Sequence, residues 1–110
     1  MKLLFSHANG YPPDSYRVLL TSLSEKLSVP VSKHDHRPLV SGEPAPTFLT
    51  WQTYASDLIE RIEGDEQGPA WLIGHSMGAA SAVLAAARRP DLFSGIVALD
   101  PVLVPTRIWF

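Results

Sequence analysis

The pentapeptide Gly-His-Ser-Met-Gly at positions 74–78 constrains the fold of this chain more than any other stretch. It follows a short apolar run at 70–73 and opens an alanine-rich stretch that reaches Arg89 without a proline. A serine on a tight turn between a strand and a helix is forced towards positive φ, at a cost of about 1 to 3 kcal/mol. Small residues two positions before and after the serine leave room for such a turn. The pattern therefore predicts a strand, a turn with the Ser76 hydroxyl at its tip, and a helix.

Short apolar runs and amphipathic stretches alternate along the rest of the chain. Strands are predicted at 3–5, 29–34, 70–73 and 95–99. Helices are predicted at 16–27, 51–63 and 77–89, and the first is expected to be capped by Asp14 or Ser15. A long, mobile loop is predicted at 35–47, because three prolines and a glycine interrupt any regular pattern there.

The alternation of strands and helices predicts an α/β fold, a parallel sheet with helices on both faces in three α/β/α layers. In a doubly wound order the second strand lies on one side of the first strand, and the third strand lies on the other. The loop at 7–11 and the turn at Ser76 are then expected to flank one crevice at the carboxyl ends of neighbouring strands. Open α/β sheets usually bind their ligands in such a crevice.

Composition and charge exclude several classes of function. The 110 residues include 9 basic and 11 acidic ones, and no block of like charge suggests a nucleic acid or an anionic membrane as a partner. The chain contains no cysteine, which excludes a disulfide framework and a thiolate zinc site. The apolar run at 3–5 is too short for a signal peptide or a membrane span, so the cytoplasm is the expected compartment. We expect a soluble domain with a small-molecule partner, in an oligomeric state that the sequence does not determine.

The predicted crevice contains groups that acyl chemistry at a serine needs. A serine is a poor nucleophile unless a histidine base, itself oriented by a carboxylate, removes its proton. Hydrogen-bond donors must also stabilise the oxyanion of the tetrahedral intermediate. The backbone N–H of Met77, at the start of the third predicted helix, is one candidate donor. The second is expected from the backbone of Asn9, Gly10 or Tyr11, although an ordinary turn is the alternative for that loop.

Two motifs in the chain resemble those of the α/β-hydrolase-fold serine hydrolases. The pentapeptide matches the nucleophile elbow of that family, with Gly74, His75 and Gly78 as its structural members. The segment His-Ala-Asn-Gly-Tyr-Pro at 7–12 resembles the family's His-Gly oxyanion loop with two residues inserted. The resemblance covers residues 1–110, from the family's third strand to its sixth, as a partial domain that ends before the lid. It implies a hydrolase that attacks an ester-like or other acyl bond through Ser76, with a small-molecule acyl compound as substrate and with no cofactor or metal.

The resemblance also implies that the catalytic triad is incomplete in these residues. The family order is nucleophile, acid, histidine, and no histidine follows His75. The chain alone is therefore expected to be inactive. Asp100, at the end of the fourth predicted strand, is the candidate acid, and a cap on the following loop is the alternative role for it.

The histidines and the large aromatic residues are interpreted as structural. His75 is too close to Ser76 on the turn to act as its base, and His7 is expected to brace its own loop. His34 and His36 are interpreted as exposed polar residues at a strand end rather than as metal ligands. The aromatic residues assigned to the core rather than to a substrate pocket are Trp51, Tyr54 and Trp71.

Other functions remain open at the level of sequence. Acyl transfer and cofactor-free haloperoxidase-like chemistry use the same triad and differ in the acceptor and the pocket. A non-catalytic binding protein on the same fold is the alternative from a different class. The fourth predicted strand, which is apolar on both faces, is expected to form an exposed edge that promotes self-association.

Overall fold

The computed structural model describes residues 2–8, 11, 13–34, 36, 52–65 and 68–101. Within these residues the strands are β1 Leu3–Ser6, β2 Val31–His34, β3 Ala70–His75 and β4 Phe93–Leu99. The α-helices are α1 Arg17–Leu27, α2 Gln52–Glu63 and α3 Met77–Arg88. Single turns of 3-10 helix precede α1 at Pro13–Tyr16 and follow α3 at Pro90–Leu92.

The strands form one parallel sheet in the order β2-β1-β3-β4, which confirms the predicted α/β fold. Parallel neighbours cannot be joined by a tight hairpin, so helices alternate with the strands along the chain. The register aligns Ser6 of β1 with His34 of β2 on one side and with Gly74 of β3 on the other. The loop after β1 and the turn after β3 therefore begin side by side.

The sheet carries an apolar core on each face. One core, beneath α2 and α3, is formed by Leu4, Ala55, Leu58, Ile59, Ile62, Leu72, Ala82 and Ala85. On the other face, Phe5 and Ile73 pack against Leu20 of α1. Burying a large aliphatic or aromatic side chain contributes about 1.5 to 3 kcal/mol, so these clusters fix the helices on the sheet. Because helices cover both faces, the carboxyl ends of the strands are where a site can open.

The start of α1 differs from the prediction. Asp14 and Ser15 lie inside the 3-10 turn, Tyr16 occupies the N-cap position, and no side chain caps the helix. Pro13 accounts for the difference, because its fixed φ suits the first position of a helical turn. The turn therefore begins before the two polar residues that the sequence suggested as caps.

Other predicted boundaries shift by a few residues. β3 continues to His75, and β4 begins at Phe93 with a register shift opposite Ala70 and Trp71. His36 is the only described residue of the loop predicted at 35–47. Trp51, which was assigned to the core, lies outside the described residues. Within the described segments, no helix is long and apolar enough to cross a bilayer.

The two described aromatic residues that were assigned to the core behave differently. Tyr54 is buried at 6% exposure, as predicted, whereas Trp71 is 39% exposed. The Trp71 ring lies against Gly95 of β4, where any added Cβ would collide with it. The prediction for Trp71 is wrong because its ring lies over Gly95 of β4, whereas α1 packs on Phe5, Ile73 and Val31.

β4 is the outer strand of the sheet in the described part of the chain, where it pairs with β3. Val97 is 45% exposed and Leu99 is 37% exposed. The described residues therefore place an apolar strand at one edge, and its effect on self-association remains a prediction.

Candidate active site

Ser76 occupies a strained turn between β3 and α3. Its φ is 53° and its ψ is −114°, which is a backbone conformation that residues with a side chain rarely adopt. Its N–H donates to the Leu99 carbonyl oxygen at 3.0 Å, and its own carbonyl accepts the Ala80 N–H at 3.0 Å. The turn is thus held by β4 on one side and by the first turn of α3 on the other. The positive φ expected for this serine is present.

Gly74 and Gly78 are required by space rather than by backbone conformation. A Cβ on Gly74 would lie 2.6 Å from the Ala79 Cα, and one on Gly78 would lie 2.5 Å from the His7 carbonyl oxygen. Both distances are far below van der Waals contact. Neither glycine has a positive φ. The close approach of α3 to β3 and to the end of β1 therefore depends on these two residues.

Met77 lies at the point where an oxyanion donor is expected. It is the first residue of α3 and is 4% exposed. The first N–H groups of a helix have no acceptor within the helix, and the helix dipole makes this end positive. The Met77 N–H is therefore suited to bind negative charge that develops beside Ser76.

The loop after β1 is described at His7, Ala8 and Tyr11, whereas Asn9 and Gly10 lie outside the described residues. The Tyr11 N–H donates to the Ala8 carbonyl oxygen at 3.2 Å. This N–H is therefore engaged in the loop itself, which speaks against Tyr11 as the oxyanion donor. The two remaining candidates for the second donor are Asn9 and Gly10.

His7 braces this loop through both ring nitrogens. Its Nδ1 lies 2.7 Å from the Ala8 carbonyl oxygen, which can only accept, so Nδ1 carries the proton. Its Nε2 accepts the backbone N–H of His36 at 2.9 Å. His7 is 1% exposed, and these partners fix its tautomer.

His34 and His36 are buried, which contradicts the prediction that they are exposed. His36 is 1% exposed, and its Nε2 lies 2.8 Å from the Ser6 Oγ. Its ring centroid is 4.6 Å from that of His7, 5.0 Å from that of His34 and 5.2 Å from that of Tyr54. His36, two residues beyond β2, thus lies against the end of β1, which no local pattern in the sequence indicates.

This burial changes the acid–base behaviour of His36. Burial, with smaller contributions from the charges that His34 and His7 can carry, lowers the pKa of His36 from 6.5 to about 2. Its Nδ1 has no hydrogen-bond partner within the described part of the chain. Among those same residues, no group of three or more potential ligands is arranged to hold a metal ion.

His75 contacts Tyr16, a residue that the sequence did not single out for the site. The His75 Nδ1 lies 2.8 Å from the Tyr16 hydroxyl, which also accepts the Ala8 N–H at 3.1 Å. The rings of His75 and Tyr16 meet edge to face, with centroids 5.6 Å apart. The two residues are 59 positions apart, and no spacing rule pairs them. His75 therefore has a structural contact of its own.

Asp100 directly follows the residue whose carbonyl binds the Ser76 N–H. It is exposed and has a φ of 47°, so the chain turns sharply at the carboxyl end of β4. Aspartate tolerates this left-handed conformation better than most residues. The position suits either a triad acid or a residue that ends the strand, and both interpretations stay open.

Comparisons with known proteins agree with this arrangement. A model of the alpha/beta hydrolase family matches residues 3–110. This chain belongs to that family. The chain is 31% identical to monoglyceride lipase from Rattus norvegicus over 107 residues, which are 93% of this chain and 35% of the lipase. It is 32% identical to ethanol acetyltransferase 1 from Kluyveromyces marxianus over 98 residues, 89% of this chain and 27% of the transferase.

Among solved structures, the crystal structure of a PytH variant matches with a TM-score of 0.75 at 23% identity. The match covers 94% of this chain and 41% of the other. At this identity the likeness supports the fold alone. In all three comparisons the chain spans less than half of its relative.

Proposed function

We propose that the protein containing this chain is a hydrolase that cleaves an ester-like or other acyl bond with Ser76 as its nucleophile. The observation that carries the proposal is the positive φ of Ser76 on a turn held from both sides. Strain of this kind persists at functional sites, where it exposes the reactive hydroxyl. Family membership and the similarity to a lipase support a hydrolase in general.

In the proposed reaction the Ser76 Oγ attacks the acyl carbon while a histidine base takes the hydroxyl proton. The carbonyl electrons move to oxygen, and the resulting oxyanion accepts the Met77 N–H and a second N–H from Asn9 or Gly10. Collapse of this intermediate breaks the bond to the leaving group, which takes the proton from the histidine. Water then attacks the acyl-enzyme by the same route, so that the acid product leaves and Ser76 is restored.

The base is proposed to come from a part of the protein outside these 110 residues. His7 uses both ring nitrogens in its loop, His36 is buried against Ser6, and His75 contacts Tyr16. Because each of these three rings is engaged by another group, their contacts support a base that lies elsewhere. Asp100 is the proposed acid.

Acyl transfer is a second candidate, favoured by the similarity to ethanol acetyltransferase 1. It uses the same acyl-enzyme, and an alcohol replaces water as the acceptor. The two functions are separated by product analysis of the natural full-length protein with an aryl ester, with and without added ethanol. A hydrolase releases the free acid in both conditions, whereas a transferase forms the ethyl ester.

The test of the proposed function uses a fluorophosphonate probe, which reacts with activated serines. Ser76 should label readily in the natural full-length protein, and Ser76→Ala should abolish both labelling and hydrolysis of short-chain aryl esters. The 110-residue chain should label slowly or not at all, since loss of the base costs several orders of magnitude in rate.

Ser15→Ala, which removes an exposed hydroxyl in the 3-10 turn, is the control for loss of a serine. It should label at the parental rate. Full esterase activity in the Ser76→Ala protein would overturn the mechanism. Rapid labelling of the 110-residue chain would instead mean that one of its own histidines is the base.

A further inference from the structure

The two halves of the proposed oxyanion hole lie on separate elements. Met77 begins α3, whereas the second donor belongs to the loop after β1. The paired register of β1 and β3 ends at Ser6 and Gly74, so the sheet itself does not tie the loop to the turn. Their relative position must therefore depend on contacts beyond the sheet.

Tyr16 supplies such a contact through its hydroxyl group. The hydroxyl accepts the Ala8 N–H at 3.1 Å and lies 2.8 Å from the His75 Nδ1. Because the Ala8 N–H is already the donor to this oxygen, the hydroxyl proton is available for the lone pair of Nδ1. Ala8 immediately precedes the candidate donors Asn9 and Gly10, and His75 immediately precedes Ser76. The Tyr16 hydroxyl thus joins the residues that lead into each half of the site.

The Tyr16 ring is held independently of its hydroxyl. It lies 4.5 Å from the Phe5 ring, centroid to centroid, and it belongs to the 3-10 turn that precedes α1. Ala8 is also held on its other side, because its carbonyl accepts the His7 Nδ1–H. Removal of the hydroxyl alone should therefore free the Ala8 N–H and leave the ring packed.

We infer that Tyr16 is a positioning residue, which sets the oxyanion loop relative to the nucleophile turn through Ala8 and His75. This inference rests on the proposed hydrolase function. Tyr16 is not assigned a contact with the reacting atoms, and it acts by holding Ala8 in place relative to His75. A displacement of about 1 Å in a reacting geometry can cost on the order of 100-fold in rate.

The test uses Tyr16→Phe in the natural full-length protein. The rate of fluorophosphonate labelling at Ser76 and the kcat for an aryl ester should both fall by about ten-fold or more, with KM little changed, since an oxyanion donor acts on the transition state. The amide of Ala8 should also exchange its hydrogen faster, as measured by NMR. His75→Leu should reproduce the kinetic loss, and His75→Asn, whose Oδ1 can replace Nδ1 as acceptor, should restore much of it.

Ser24→Ala is the matched control. The Ser24 hydroxyl donates to the Val29 carbonyl oxygen at 2.8 Å, at the far end of α1 from the site. This variant also loses one hydrogen bond between a hydroxyl group and the backbone. It therefore shows how much a similar loss of stability alone affects the labelling rate. Its labelling rate should equal that of the parent.

Each outcome has a distinct meaning. Labelling of Tyr16→Phe at the parental rate, or unchanged exchange at Ala8, would overturn the inference and leave the proposed function intact. An equal loss in Ser24→Ala would also overturn it, because stability alone would then explain the effect. A parent protein that does not label at Ser76 would overturn the proposed function itself.

Discussion

Ser76 keeps its strained backbone conformation because hydrogen bonds to neighbouring residues hold it in place. Relaxation to a common conformation would break its hydrogen bonds to Leu99 and Ala80. Strain of about 1 to 3 kcal/mol is small beside the combined worth of these bonds and the buried side chains around them. The backbone of Ser76 is consequently held in this conformation at the tip of the turn.

His36 is the second residue whose environment sets its chemistry. Its pKa is lowered to about 2 in the folded protein, while in the unfolded chain it returns towards 6.5. Below pH 6.5 the unfolded chain therefore binds more protons than the folded one, and the free energy of unfolding decreases as the pH falls from 6.5 towards 2. Above pH 6.5 the ring is neutral in both states and contributes no dependence on pH.

Replacing His36 with glutamine should flatten this dependence. A glutamine can still bond to the Ser6 Oγ but does not titrate. The free energy of unfolding is measured in urea at several pH values between neutral pH and about 4.5. It should change with pH less steeply in His36→Gln, by up to about 1.4 kcal/mol per pH unit. Carboxylates titrate equally in both proteins and cancel in the difference. The same pH dependence of the free energy of unfolding in both proteins would show that His36 is not buried in its neutral form.

At the scale of elements, α3 is the helix on which the site depends. Apart from Met77, its buried residues are small, namely Gly78, Ala79, Ala80, Ser81, Ala82 and Ala85. Small side chains allow the helix axis to approach the sheet closely, so the first turn of α3 meets the ends of β1 and β3. This approach brings Gly78, in the first turn of α3, against the backbone of Ser6 and His7.

A larger side chain on this face should push α3 away from the sheet. Ala80 is fully buried, and Ala80→Leu should lower the free energy of unfolding by about 1 to 3 kcal/mol or more through overpacking. Ala87 lies exposed on the same helix, so Ala87→Leu is the matched control and should change stability by less than about 0.5 kcal/mol. Both are measured by urea unfolding of the natural full-length protein. Equal midpoints for the two variants would contradict the close packing of α3.

At the scale of the whole molecule, the two sides of the sheet are covered unequally. β2 and β1 lie beneath α1, whereas on the same face Val97 and Leu99 of β4 and Trp71 of β3 are partly exposed. An apolar strand at a sheet edge offers unpaired backbone groups and apolar side chains to another chain. In the 110-residue chain this combination favours association.

The 110-residue chain should therefore self-associate in solution. Light scattering at rising concentration should show an increasing mass, and Val97→Lys should reduce this increase by placing a charge at the edge. Val18, which is 80% exposed on α1, provides the control, because Val18→Lys makes the same change of charge away from β4. A stable monomer at high concentration, or equal effects of the two lysines, would contradict the prediction.

Much of the fold and the core of the candidate site could be predicted from the sequence. The turn at Ser76 depends on a few contiguous residues, and it requires residues without a side chain at positions 74 and 78. The two glycines can therefore be recognised from their spacing alone. The alternation of apolar runs and helical patterns likewise determines the class of fold, because periodicity is a local property of the chain. The order of the strands followed from general rules for parallel sheets.

The contacts that surround the turn at Ser76 depend on the tertiary structure and could not be predicted from the sequence. Tyr16 reaches His75 across 59 positions, and His36 reaches Ser6 across 30 positions. Such contacts depend on which strands are neighbours and on where the connecting segments lie, and no window of sequence contains both partners. For the same reason the exposure of Trp71 was not predictable, since it depends on a helix that packs elsewhere on the sheet. Local sequence thus determined the strained turn at Ser76, and long-range packing determined the contacts that surround it.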